Sequence, residues 1–200
     1  MKRTAADRLI LLTGGPGSGK TTLLDALASE GYRVAPEAGR AIIRDQLAIG
    51  GQALPWKDAA LFAEQMLQWD LRSHAEACAV EAYTFFDRGV PDIVGYLRLS
   101  GLPMPEHVTR AAERCRYWQK AFILPPWPEI FTQDAERRQD LEEAMRTNDA
   151  MVTAYSDLGY ELVEVPRASI EERAAFVLRG SASRSASQSA ARRRPAQPRP

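Results

Sequence analysis

A glycine-rich loop followed by a lysine and two threonines is the segment of this 200-residue chain best suited to chemistry. In such a loop the backbone N–H groups turn inward around phosphates, and the positive end of the following helix adds to the attraction. Lys20 can then reach the β- and γ-phosphates, while the Thr21 hydroxyl ligates Mg²⁺. The loop predicts binding of a nucleoside triphosphate by Gly14, Gly15, Pro16, Gly17, Ser18, Gly19, Lys20, Thr21 and Thr22.

An aspartate and an arginine follow a second apolar run, at Asp87 and Arg88. An acid at the end of a strand is the usual second Mg²⁺ contact of phosphate-loop proteins, directly or through water. Many motor-type ATPases place a water-activating glutamate at the next position, but a cation such as Arg88 cannot be that base. The pair therefore favours transfer of phosphate to a bound acceptor, with Arg88 near substrate or phosphate. A plain ion pair at the strand end is the alternative.

Two further groups of charged residues are candidates for the reaction. Glu37 follows Pro36, where it could take up a hydroxyl proton or accept a hydrogen bond from a sugar hydroxyl. Arg40 could steady a phosphate or an acidic substrate. Alternatively, Glu37 is only a favourable anion in the first turn of a helix. Arg137 and Arg138 lie in a mostly polar segment, Thr132 to Gln139, which is consistent with a lid that neutralises charge during phosphoryl transfer or with a solvated helix start.

The elements that must position these residues alternate between short apolar runs and amphipathic stretches. Strands are predicted at 9–12, 32–35, 83–86, 121–124 and 160–165. Helices are predicted at 22–28, 41–47, from Pro55 onward, at 91–99, 105–119, through 141–155 and at 170–178. Such alternation indicates an α/β fold with a parallel sheet covered on both faces, and ligands of such sheets bind beyond the carboxyl ends of the strands.

Composition limits the remaining choices. The chain has 26 basic and 26 acidic residues, but residues 181–200 hold five of the arginines and no acid. The other 21 basic residues face 26 acidic ones, so a general nucleic-acid surface on the body is not expected. We expect one nucleotide-binding domain over 1–180 and a disordered Ser/Ala/Arg/Pro tail over 181–200, whose arginines could meet a partner. Two distant cysteines and the lack of a membrane-length apolar run fit a cytoplasmic protein.

Taken together, these motifs resemble the predicted ATPases with a NadR-like, nicotinamide riboside kinase-like P-loop AAA domain. The resemblance spans roughly Arg8 to Leu178 and rests on 14–22, 36–40, Phe85–Asp92 and 134–138. It implies a three-layer P-loop NTPase fold with five parallel strands in the order 2-3-1-4-5, a kinase-like lid, and ATP as the nucleotide. It also implies relatives among riboside and nucleoside kinases. The adenylyltransferase domain of NadR itself is absent from this chain, and no acceptor is implied.

Two functions follow as hypotheses. The first is a small-molecule kinase that moves the γ-phosphate of Mg-ATP to an acceptor hydroxyl, oriented by Glu37 or Asp87, with Arg88, Arg137 and Arg138 neutralising charge. The second is a nucleotide-dependent switch or ATPase that acts through a protein partner. An Asn-Lys-x-Asp motif is missing after the late strands, which disfavours a GTPase. A hexameric motor is not expected, because too few residues remain for a helical lid subdomain.

Overall fold

The computed structural model describes residues 4–130 and 141–191, with side chains through residue 181. Arg137 and Arg138, and the lid predicted around them, lie outside the described residues. Within the described ranges no helix has the length and apolar character needed to cross a lipid bilayer.

Five parallel strands form one sheet. They are β1 (Leu9–Gly14), β2 (Arg33–Ala35), β3 (Thr84–Asp87), β4 (Lys120–Leu124) and β5 (Glu161–Glu164), arranged in the order β2-β3-β1-β4-β5. The predicted α/β class, all five strands and their order are confirmed. In the register of the sheet Leu12 lies beside Asp87, so the phosphate loop after β1 and the acid that ends β3 lie side by side.

Seven helices cover the sheet within the described residues. They are α1 (Lys20–Ser29), α2 (Ala38–Ile49), α3 (Ala59–Cys78), α4 (Val90–Leu99), α5 (Glu106–Arg114), α6 (Leu141–Asp157) and α7 (Ile170–Ala191). Short 3-10 turns add Ala5–Arg8 and Pro128–Ile130. Alternate residues of β1 show the three layers: Ile10 and Leu12 pack with α1 and α7, whereas Leu9 and Leu11 pack with α3 and α6.

Three predicted helix boundaries were wrong. The helix predicted from Pro55 begins at Ala59, because the Asp58 carboxylate caps it by accepting the Leu61 N–H at 2.8 Å. The helix predicted to end at Gln119 ends at Arg114, and residues 115–119 lead into β4. α7 continues past Leu178 to Ala191, since alanine and serine tolerate a helix and the next proline is Pro195. The domain boundary near residue 180 stays a prediction.

Gly14 ends β1 where the sheet has no room for a side chain. Its φ is +127°, and a Cβ there would lie 2.2 Å from the Leu124 carbonyl oxygen of β4. Gly31 has a φ of +90° with no atom within 4 Å of such a Cβ. An alanine at Gly31 would therefore suffer only the backbone strain of a positive φ, whereas an alanine at Gly14 would suffer that strain and a clash with β4.

We expect Gly14→Ala to lower the free energy of unfolding by about 3 kcal/mol or more, because it combines left-handed strain with a backbone clash. Gly31→Ala, the matched control, carries the strain alone and should cost about 1–2 kcal/mol. Urea unfolding followed by circular dichroism measures both. Equal losses in the two variants would contradict the close approach of β1 and β4.

Candidate active site

The phosphate loop lies between the end of β1 and the start of α1. Gly17 and Gly19 have φ values of +71° and +77°, a conformation that turns successive N–H groups toward one side and that glycine adopts without strain. Gly19 is also the residue before the first turn of α1, so the loop N–H groups and the helix dipole act at the same place. The sequence builds a cradle for anions at this edge of the sheet.

Lys20 lies over this cradle with its amine on loop oxygens. Its Nζ donates to the carbonyls of Gly15 at 3.1 Å and Gly14 at 3.4 Å, and the side chain is 7% exposed. Burial, and next the charge of Arg88, lowers the pKa of Lys20 to about 8. A bound polyphosphate would favour the charged amine, so Lys20 is placed to gain from an anion in the loop.

Asp87, the last residue of β3, is buried beside Lys20. Its Oδ1 has no hydrogen-bond partner among the described residues, and burial raises its pKa to about 6 even though the charge of Lys20 opposes the shift. An orphaned carboxylate oxygen next to an anion cradle suits a cation, and oxygen donors are the ligands Mg²⁺ prefers. Asp87 and the exposed Thr21 hydroxyl at the start of α1 therefore fit an ion bound together with phosphates.

Arg88 joins the carboxylates on either side of the site. Its guanidinium lies 3.4 Å from Glu37 Oε1 and 3.0 Å from Asp92 Oδ1. Among the non-glycine residues that the structure describes, Arg88 is the one with a positive φ, which is +69°. Glu37 also pairs with Arg40 at 3.4 Å. Although burial alone would raise the pKa of Glu37, the charges of Arg88, Lys20 and Arg40 lower it, so this carboxylate stays ionised.

Asp92 is the anchor of the arrangement. Its carboxylate accepts hydrogen bonds from the hydroxyls of Thr13 and Tyr155, each at 2.6 Å, and from the Gly89 N–H at 3.1 Å. Arg88 supplies a fourth, charged donor. These partners belong to β1, α6 and the turn after β3, so one buried side chain ties three elements together behind the phosphate loop.

Arg173 closes the other flank of the loop from α7. Its guanidinium donates to the Ser18 carbonyl at 2.9 Å and lies 5.4 Å from the centre of the Trp127 ring. The residue is 3% exposed, and burial lowers its pKa. Trp127, which follows β4, thus packs against this cation.

A cavity of about 990 Å³ is lined by several of these groups, among them Lys20, Glu37, Arg88, Asp92 and Arg173. One part is lined by the phosphate loop, Trp127 and Arg173. The other part extends from Glu37 and Arg88 along α2, α3 and α4, and its walls are mainly apolar: Ile43, Leu47, Trp56, Phe62, Met66 and Tyr96. The cavity therefore has a charged end suited to phosphates and an apolar end suited to the body of a second ligand.

The structure brings Lys20, Asp87, Glu37 and Arg88 into one cluster, and their roles as site residues stay predictions. Arg88 meets Glu37 and Asp92 where the sequence analysis considered a simple pair with Asp87. Three residues were missed as site residues: Asp70, Asp92 and Arg173. The only signal for Asp92 was its place in the Phe85–Asp92 motif, and the other two are single charged residues in helices.

A family model described as an AAA domain matches residues 9–173, so the chain belongs to that AAA domain family of P-loop proteins. No curated protein matches the chain.

Within the described residues no group of three or more histidine, cysteine or carboxylate side chains is arranged to hold a metal by itself.

Several solved structures share the fold at low sequence identity. Thymidylate kinase from Ehrlichia chaffeensis aligns with a TM-score of 0.58 at 14% identity, covering 88% of this chain and 98% of its own. Shikimate kinase from Acinetobacter baumannii, in complex with shikimate, aligns with a TM-score of 0.52 at 15% identity, covering 88% of this chain and 94% of its own. The YorR protein from Bacillus subtilis, in complex with phosphorylated GDP, aligns with a TM-score of 0.52 at 16% identity, covering 85% of this chain and 93% of its own. These similarities establish a kinase-like P-loop fold.

Asp92→Asn should lower the free energy of unfolding by about 3–5 kcal/mol, because an amide nitrogen replaces an acceptor among donors and Arg88 loses a buried partner. The control is Asp157→Asn, which breaks the exposed Arg98–Asp157 pair between α4 and α6 and should cost less than about 1 kcal/mol. Urea titration reports both values. A small loss at Asp92 would show that the network does not hold the site together.

Proposed function

We propose that this protein is a kinase that transfers the γ-phosphate of Mg-ATP to the hydroxyl of a small molecule. The observation that carries the proposal is that one cavity is lined by the phosphate loop, by the acid–arginine cluster of Glu37, Arg88 and Asp92, and by apolar side chains of α2, α3 and α4. A hydrolase needs room only for water beyond the γ-phosphate. An apolar compartment of this kind suits an organic acceptor instead.

The charged end of the cavity would hold the nucleotide. The loop N–H groups and Lys20 would bind the β- and γ-phosphates, and Lys20 would exchange its loop carbonyl partners for phosphate oxygens. Asp87 and Thr21 would hold Mg²⁺, which neutralises charge on the phosphates when bound. Trp127 and Arg173 line the flank of the loop where the rest of the nucleotide would extend.

Glu37 is the residue we assign to the acceptor hydroxyl. It is partly exposed and lines the cavity, whereas Asp87 is buried and is not among the residues that line it. In the step, the hydroxyl oxygen bonds to the γ-phosphorus, the bond to the bridging oxygen of ADP breaks, and the hydroxyl proton passes to the Glu37 carboxylate. Because such transition states are loose, a weakly basic carboxylate suffices when it holds the hydroxyl in line.

Arginines would neutralise the charge that develops as phosphate crosses. Arg88 stands between Glu37 and Asp92 at the boundary of the two compartments. Arg137 and Arg138 complete the proposal as lid residues on the strength of their sequence position between β4 and α6. Electrostatic stabilisation by such donors is typically the largest contribution to this kind of catalysis.

The proposal is tested by measuring ADP release and phosphate gain with Mg-ATP across nucleosides, ribosides, nucleotides and other small hydroxyl compounds. We expect at least one compound to raise ADP release many-fold and to gain phosphate, with turnover of about 1–100 s⁻¹. Lys20→Ala should abolish transfer without unfolding the chain. Lys120→Ala, at the opposite end of the sheet and paired with Glu161, should leave it unchanged. Tight ATP binding with slow, uniform hydrolysis would favour a partner-dependent switch instead.

Substitution of Asp87 and of Glu37 should change the Mg²⁺ dependence of turnover in different ways. Asp87→Asn should raise the Mg²⁺ concentration needed for half-maximal turnover at least about tenfold, because it removes an oxygen ligand. Glu37→Gln should lower kcat by about 10²-fold or more at an unchanged Mg²⁺ requirement, because it removes the proton acceptor. Steady-state kinetics over a Mg²⁺ titration measures both. The reverse pattern would exchange the two assignments.

A further inference from the structure

Asp70 is a buried carboxyl at the apolar end of the cavity. It lies on α3, one and two turns after Met66 and Phe62, so the three side chains share one face of the helix. All three line the cavity, and Asp70 is 8% exposed. An aspartate on the buried face of a helix, among aromatic and thioether side chains, is uncommon unless it is paired.

No residue that the structure describes forms a hydrogen bond or an ion pair with Asp70. Arg88, the cation whose charge acts on Asp70, already contacts Glu37 and Asp92. Burial first, and then the negative charge of Asp92, raises the pKa of Asp70 well above its usual range, with Glu37 and Asp87 adding to the shift and Arg88 opposing it. Burial of an unpaired carboxyl is costly, so its place on a cavity wall calls for a partner that enters the cavity.

The proposed reaction limits what that partner is. The acceptor must present a hydroxyl near Glu37 and Lys20, so its remaining atoms extend between α2, α3 and α4. There the Phe62 and Tyr96 rings pack edge to face with centroids 5.6 Å apart, and Met66 and Trp56 complete a wall suited to a flat ring. Hydrogen-bond donors that lie in the plane of such a ring are typically amino or amide N–H groups.

We infer that Asp70 selects an acceptor with an aromatic ring that bears an N–H donor in addition to the phosphorylated hydroxyl. The inference rests on the proposed kinase function and deepens it. A site built around a buried hydrogen-bonding group discriminates strongly against ligands that lack the complementary group, because the group then stays unpaired. Asp70 would thus contribute specificity, while Lys20, Asp87 and Glu37 carry out the transfer.

The first arm of the test needs no acceptor. Because Asp70 lacks an internal partner, Asp70→Asn should raise Tm by about 2 °C or more at pH 8, as removal of an unpaired buried charge does at functional sites. The control, Asp45→Asn on exposed α2 surface, should leave Tm unchanged. A fall in Tm for Asp70→Asn would reveal an internal partner and overturn the inference.

The second arm compares matched nucleosides as acceptors: adenosine with purine riboside, cytidine with pyrimidin-2-one riboside, and guanosine with inosine, each pair differing by one amino group. We expect kcat/KM to favour the amino-bearing member of at least one pair about tenfold or more, through KM rather than kcat. Asp70→Leu, which removes the acceptor oxygens at similar size, should bring that ratio close to one. Asp70→Asn, which keeps one acceptor oxygen, should retain part of it.

The outcomes separate the two proposals. Phosphate gain without preference for the amino group, or a preference that survives Asp70→Leu, contradicts the role of Asp70 and leaves the kinase intact. Absence of phosphate gain across these nucleosides and the wider panel contradicts the kinase, and with it the inference built upon it.

Discussion

The Asp92 carboxylate is the interaction on which the site depends. Four donors converge on it from β1, from α6 and from the turn that follows β3. Burial and the neighbouring charge of Asp92 raise the pKa of Tyr155, so that hydroxyl stays protonated and available to donate. A fully satisfied buried network of this kind specifies one arrangement, because any shift leaves a polar atom unpaired. The position of Arg88 follows from that arrangement.

Charge balance explains why the residues around Arg88 suit a polyphosphate with its metal. Asp87, Glu37 and Asp92 supply three carboxylates near the cations Lys20 and Arg88. Burial alone would lower the pKa of Arg88, yet the three carboxylates raise it, so its charge is permanent. Lys20 and Asp87 carry the opposite shifts, each disfavouring its charged form. A phosphate would restore the charge of Lys20, and a cation that of Asp87. Ligand and metal would therefore bind as a pair.

The sheet and the phosphate loop are well predicted from the sequence, because local signals determine both. Continuous apolar runs define buried parallel strands, and the glycine pattern before Lys20 defines the loop. Asp92 reads locally as an acid in a first helical turn, and only the packing of α6 against β1 reveals its other partners. Arg173 lies 155 residues from Ser18, a distance over which no local pattern acts. Asp70 interrupts a stripe of buried residues on α3, and from the sequence alone a charged residue at that position is expected to face solvent. Only the cavity, known from the structure, explains its burial.

The acceptor is the part of the function that fold similarity conveys least. The related structures share 14–16% of their residues with this chain, and that likeness establishes a common sheet and loop rather than common substrates. Phosphate binding by such a loop uses mainly backbone groups and one lysine, so proteins that share it can differ in the side chains around it. In the proposed kinase, acceptor binding would use side chains on α2, α3 and α4, where each substitution changes the shape or the polarity of the wall. The identity of a proposed acceptor would therefore follow from individual contacts, and the unpaired Asp70 carboxyl near the Phe62 and Tyr96 rings is the contact on which we base its selection.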